Sequence, residues 1–183
     1  MARVVRWRPC EGDGLEHLVL ADGPDGVRAE AVVIGTGDDG PFAIRYALLC
    51  DAGWRVRTLE VVSVGDGRRL AVRADGAGRW TDEAGAVLPA LAGAIDVDIA
   101  ATPFTNTLPI RRLDLAAGQA AEIVTAYVSV PALTVVPDPQ RYTCLVPGRR
   151  YRYESLDSDF VREIETDGDG LVTDYPGLFR RVV

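Results

Sequence analysis

The chain has no lysine: all 20 of its basic residues are arginine. That absence removes Schiff-base chemistry and lysine-dependent phosphate loops. Histidine is nearly missing as well. His17 stands alone, and no serine or cysteine lies at a recognisable spacing from it, which disfavours a Ser-His or Cys-His device and a His/Cys zinc site. Cysteine is scarce: Cys10, Cys50 and Cys144 are far apart, odd in number and free of any CxxC pattern. They read as reduced, small apolar thiols in or near the core of an intracellular protein. No GxGxxG and no phosphate loop occurs, and Asp167-Gly-Asp169-Gly lacks the remaining ligands of a calcium loop, so it reads as a hairpin turn. On these grounds no cofactor and no metal is expected. No segment approaches about 18 consecutive apolar residues, so no membrane span is expected. The start, MARVVRWRPCEGDG, is too polar for a signal peptide, and the expected compartment is the cytoplasm. Positive charge is also short. Asp and Glu number 27 against 20 Arg, a net charge of −7. Nucleic acid and anionic membrane surfaces both want a basic face, so neither is an expected partner.

What is present is a scaffold of strands. The 183 residues, 48% of them hydrophobic, are enough for one domain over residues 1–183 with an ordinary core. Val4–Arg8 reads as a strand carrying Trp7; Leu15–Asp22 and Val27–Ile34 flank a GPDG turn as a hairpin. After a turn cluster over 35–41, Phe42, Ile44, Tyr46 and Leu48 alternate along Phe42–Cys50. Trp54–Val64, Arg69–Ala74 and Arg79–Thr81 (with Trp80) continue the meander, with a turn about every ten residues, the spacing of sandwiches and barrels. Val87–Gly93 is ambiguous between loop and a single helical turn. From Glu122 the strands resume: Glu122–Val130, Leu133–Val136, a PDP turn, Arg141–Val146, Tyr151–Ser155, Phe160–Thr166, Leu171–Tyr175 and Phe179–Val183. Gly118–Glu122 is a weak helix candidate. No motif speaks to oligomeric state.

The stretch Ala94–Leu113, AIDVDIAATPFTNTLPIRRL, stands apart. It opens as a strand in which Ile95, Val97 and Ile99 alternate with Asp96 and Asp98. An uncharged run of threonines, Asn106 and two prolines follows. Asn106-Thr107-Leu108-Pro109 suits a helix start, with Asn or Thr as cap and Pro in the first turn, and the short helix would carry Arg111 and Arg112. Asp96 and Asp98 share one strand face roughly 7 Å apart, within the about 6.5–9.5 Å separation of inverting glycosidases. They could equally hold the nearby arginines. Arg111 and Arg112, about 100° apart on a helix, could send one guanidinium to an aspartate and the other to a cavity. Thr102, Thr105, Asn106 and Thr107 suit a hydroxyl-rich ligand or the loop's own backbone. Trp7, Trp54 and Trp80, all on predicted strands, belong to a core or, with Tyr127, Tyr142, Tyr151, Tyr153 and Tyr175, to a ligand cavity.

The motifs DVD…TPFTNTLPIRRL (Asp96–Leu113), QRYT with Gln140 and Tyr142, RYRYE with Tyr151 and Tyr153, and the closing GLVTDYPGLFRRV from Gly170 are spread over most of the chain. In them the sequence resembles a bacterial family named putative glycolipid-binding, whose function is not established. The resemblance implies an all-β, mainly antiparallel spiral β-roll: a long curled sheet of roughly a dozen or more strands around one short central helix, here the IRRL segment. The glycolipid label carries only the fold-level likeness to lipid carriers.

Three readings follow. The first is a non-catalytic binding protein for an amphipathic, glycolipid-like or anionic-headed small molecule, with Trp7, Trp54, Trp80, Asp96, Asp98, Asn106, Arg111, Arg112, Gln140, Tyr142 and Tyr153 as ligand-binding candidates. The second is a hydrolase or lyase acting on a sugar-like or phosphorylated substrate through Asp96 and Asp98. The third makes the same constellation purely architectural, because a helix inside a sheet needs satisfied ends and buried arginines need carboxylates.

Overall fold

The computed structural model describes residues 2–37 and 40–183. Fourteen strands form one hydrogen-bonded sheet: β1 (Arg3–Pro9), β2 (Leu15–Gly23), β3 (Gly26–Gly37), β4 (Gly40–Cys50), β5 (Val56–Ser63), β6 (Arg69–Ala74), β7 (Trp80–Asp82), β8 (Asp96–Ile99), β9 (Ala120–Val128), β10 (Val135–Val146), β11 (Arg150–Ser155), β12 (Val161–Thr166), β13 (Val172–Tyr175) and β14 (Phe179–Arg181). The order across the sheet is β7-β6-β5-β4-β3-β2-β1-β14-β13-β12-β11-β10-β9-β8. Two meanders therefore meet where the first strand pairs with the last, Trp7 opposite Arg181. Every pairing is antiparallel except β8 with β9, where Asp96 lies beside Thr125 and Ile99 beside Val128.

Period-two patterning sets the faces. Along β3, Val27, Ala29, Ala31 and Val33 are buried while Arg28, Glu30, Val32 and Ile34 face out. β4 answers with Ile44, Tyr46, Leu48 and Cys50 inward. Gly26 permits the tight β2–β3 turn: its φ is +123°, and a Cβ there would lie 2.3 Å from the Cys50 carbonyl oxygen.

The sheet curls so far that its two edges approach each other. The Trp80 indole on β7 donates to the Ala94 carbonyl, two residues before β8, at 2.8 Å, and Val56 N–H on β5 donates to the Ile95 carbonyl at 3.3 Å. Between the edges lies the central segment, a 3-10 turn over Phe104–Asn106 running into α1 (Thr107–Leu113), the one α-helix among the described residues. Phe104 and Leu108 pack into the apolar interior of β1–β6, and Ile110 packs against Tyr142, Tyr151, Tyr153 and Tyr175 of the second meander. α1 ends at Asp114, in the left-handed conformation at φ 44°.

Several expectations need correction. Trp54 is not on a strand; it occupies the turn before β5 with φ 62°. Gly118–Glu122 is turn and the start of β9, not helix. The PDP segment does not turn the chain. β10 runs straight through Pro137 and Pro139, paired to β9 without a break, and β11 pairs only from Gln140 onward. The missing proline N–H groups thus fall where no partner strand is present. The ambiguous Val87–Gly93 holds a short 3-10 turn, Pro89–Leu91. Of the cysteines, Cys50 and Cys144 are buried as expected, while Cys10 is exposed. The expected turn over 35–41 includes Asp38 and Asp39, which lie outside the described residues.

Candidate functional site

β8 divides the interior. Val97 and Ile99 join the apolar core, and alternation turns Asp96 and Asp98 toward the tyrosine-rich side. Asp96 is fully buried and is met by Arg112 from α1: Nη2 donates to Oδ2 at 2.6 Å and Nε to Oδ1 at 3.1 Å. Burial pushes the Asp96 carboxyl up, and the guanidinium draws it back. Among the described residues Asp98 has no cationic partner. It accepts from Gln140 Nε2 at 2.7 Å and from Thr105 Oγ1 at 3.1 Å. Its pKa is pushed up to about 6, by burial first and also by the charge of Asp138. Gln140 is the hinge of this group: its Nε2 also donates to Asp138 at 2.6 Å, while its buried Oε1 finds no partner among the described residues.

Asn106 does not cap α1 with its side chain. The preceding 3-10 turn already supplies helical backbone there, so the amide is free to work elsewhere. Its Nδ2 donates to the Pro103 carbonyl at 3.2 Å, and its Oδ1 accepts from Tyr142 Oη at 2.8 Å. Ahead of the 3-10 turn, Thr102 Oγ1 accepts from Phe104 N–H at 3.0 Å, a local side-chain-to-backbone bond that satisfies one donor there. Tyr153 stacks edge-on against Tyr142, with ring centroids 5.5 Å apart. Burial, reinforced by the charge of Asp98, pushes both phenols up.

The arginines and tryptophans separate. Arg111, one residue before Arg112, points away and lies over the Trp54 ring at 5.0 Å. The Trp80 indole serves the Ala94 carbonyl, as above. Trp7 is fully buried and donates to the Val172 carbonyl at 2.7 Å, tying β1 to β13.

Of the eleven residues singled out from the sequence, Trp7 alone lines any of five cavities found on the described residues. The largest, about 590 Å³, is bounded by the turns at Val146–Arg150 and Glu165–Gly168. The fifth, about 470 Å³, lies at one end of the roll where both meanders and the central segment converge. Its walls include Trp7, Leu15, Phe42, Val130 and Phe179, with Ala100 and Ala101 of the central segment. In its lining stands Glu16, which sequence reasoning passed over as a neighbour of His17. Glu16 is 3% exposed. Its Oε1 accepts from Tyr46 Oη and its Oε2 from Thr102 Oγ1, each at 2.6 Å. Burial pushes its pKa up to about 7, against the downward pull of those two hydroxyls. A signal for it was present. Glu16 is in phase with Leu18 and Leu20 on β2, so the inward face of that strand begins with a carboxylate.

The two groups share the central segment. Thr105 holds Asp98 on one side of it, and Thr102, three residues earlier, holds Glu16 on the other. Chemically they differ. Asp96 is closed by the Arg112 guanidinium, while Gln140 beside Asp98 keeps a buried Oε1 without a partner among the described residues. At Glu16 a carboxyl with only hydroxyl partners adjoins an apolar cleft.

A family model described as "Putative glycolipid-binding" matches residues 4–181. The chain is also similar to a solved structure, a DUF1089 family protein from Pseudomonas aeruginosa, at 42% identity over 96% of this chain and 95% of that one, with a TM-score of 0.86. No curated protein matches the chain.

Proposed function

The chain belongs to the putative glycolipid-binding family, and from that premise we propose that it is a non-catalytic binding protein for an amphipathic, glycolipid-like small molecule. The observation that carries this reading is the cleft at Glu16. It is walled by Trp7, Leu15, Phe42, Val130 and Phe179 and has a single buried carboxyl within it. Apolar walls with few, fixed polar groups are the usual composition of a small-molecule site. In this reading the tail of the ligand lies against the aromatic and aliphatic walls, and its head meets Glu16. The central constellation serves as scaffold. Asp96 with Arg112 and Asn106 with Tyr142 fasten α1 to the sheet, and α1 in turn keeps Thr102 and Ala101 in place beside the cleft. In this reading residues 1–183 act as one unit, and the cleft draws residues from β1, β2, β3, β4 and β14.

The test is a titration of isotope-labelled protein with octyl β-glucoside below its micelle concentration, followed by amide chemical shifts. Shifts are expected to cluster at Leu15, Gly35, Phe42, Ala101 and Phe179. Shifts confined to Asp98, Gln140 and Tyr142, or none at all, would overturn the assignment of the cleft.

A further inference from the structure

We infer that the cleft selects a head group that donates hydrogen bonds and carries no negative charge, a hydroxyl or an ammonium rather than a carboxylate, sulfate or phosphate. This rests on the reading of the cleft as the amphiphile site. Three observations carry it. Among the described residues the charged groups lining the cleft are Glu11 and Glu16, both acidic, and no arginine lines it. Elsewhere arginine is the ordinary partner of a carboxylate in this protein, at Asp96, Asp167 and Asp174 among others. Among the described residues Glu16, like Asp98, is a carboxylate without an arginine partner, and of the two it is Glu16 that lines the cleft. Second, each oxygen of Glu16 takes one hydroxyl donor, from Tyr46 and from Thr102. A carboxylate accepts at about four lone-pair positions, so acceptor capacity remains for a ligand. Third, among the described residues the groups that act on the ionisation of Glu16, besides burial itself, are Thr102 before α1 and Tyr46 on β4, both neutral hydroxyls. An anionic head would enter against the charge of Glu16 with no guanidinium to receive it. A donor head satisfies the free lone pairs, and a cationic one also neutralises the buried charge.

The experiment compares three probes with the same tail, octyl β-glucoside, octylammonium and octanoate, titrated into the full chain by calorimetry. Measurements are made at roughly pH 8.5 and roughly pH 5.5, on either side of the Glu16 transition, with amide shifts locating each probe. At the higher pH octylammonium is expected to bind at least about tenfold tighter than octanoate, with octyl β-glucoside also bound. At the lower pH that ratio contracts toward one. The acidic surface attracts any cation, so the readout is the change on Glu16→Gln, which is expected to give the contracted ratio at both pH values. Octanoate binding as tightly as octylammonium at the higher pH, or a ratio untouched by Glu16→Gln, would overturn the selectivity while leaving an occupied cleft. If no probe shifts the cleft residues, the cleft itself is not the site and the inference falls with it. Should Glu16→Gln not fold, the pH dependence of the ratio in the unaltered protein decides the same question.

Discussion

Asp96 and Glu16 are both carboxylates taken out of water, and the protein treats them in opposite ways. Asp96 receives a guanidinium in a two-pronged grip from the helix it anchors. Glu16 receives two hydroxyls and a cleft. A buried charge without a counter-ion is costly, and burial moves Glu16 to a pKa of about 7. The difference teaches which carboxylate closes the fold and which is kept available. Asp96 is paired within the scaffold, whereas Glu16 is held only by hydroxyls and lines the cleft, the kind of perturbed carboxyl on which the proposed function rests.

The comparison breaks most sharply at Arg112. Arg112→Met should cost about 3–5 kcal/mol, because it leaves Asp96 buried and uncompensated. The double variant Asp96→Asn with Arg112→Met should recover most of that loss. Urea unfolding at neutral pH measures both, and a single variant within error of the parent would remove Asp96 from its structural role.

Next in size is the pH dependence carried by Glu16. Its folded pKa is raised, so the folded state holds the proton more tightly than the unfolded chain. Its contribution to stability is full below about pH 4.5 and lost as pH rises through about 7. The shift corresponds to a change on the order of 3 kcal/mol. Unfolding midpoints from pH 4.5 to 8 should therefore fall for the parent, and Glu16→Gln should flatten the curve. Asp98, raised to about 6, acts in the same direction over a lower window. Asp98→Asn should flatten the curve below about pH 6 and leave the Glu16 portion intact. A parent whose stability rises across this range would contradict both assignments.

The smallest effect belongs to Arg111. Arg111 is exposed where it lies over the buried Trp54 ring, and neither residue lines the cleft. Arg111→Gln should cost about 0.5–1 kcal/mol and leave amphiphile binding unchanged. Thermal unfolding and the octyl β-glucoside titration check the two halves of that statement.

Much of this was legible in the residues, and for identifiable reasons. Alternating β-branched and aromatic residues between Gly-rich turns mark nearly every strand, because burial on one face leaves a period of two. The Asp96–Arg112 pairing was readable as one of two options for consecutive arginines on a short helix, and the helix itself announced its start through Thr107 and Pro109. Pro137 and Pro139 misled, since proline breaks a strand only where its N–H is needed, and which side of β10 lacks a partner is decided by the far-off end of β11. Trp54 misled because a left-handed residue leaves no trace in composition. Glu16 was missed for the most instructive reason. Its phase with Leu18 and Leu20 was visible, but its partners Tyr46 and Thr102 lie 30 and 86 residues away, and only the curl of the sheet brings them together.

The claim at the centre is that the cleft beside Glu16, not the Asp96–Arg112 junction, receives the ligand. Ala100 lines that cleft and is exposed, so Ala100→Trp fills the space with little disturbance to the core. Calorimetric titration of octyl β-glucoside into this variant should show binding lost at least about tenfold, with the unfolding midpoint near that of the parent. Unchanged affinity in a folded Ala100→Trp protein would contradict the account.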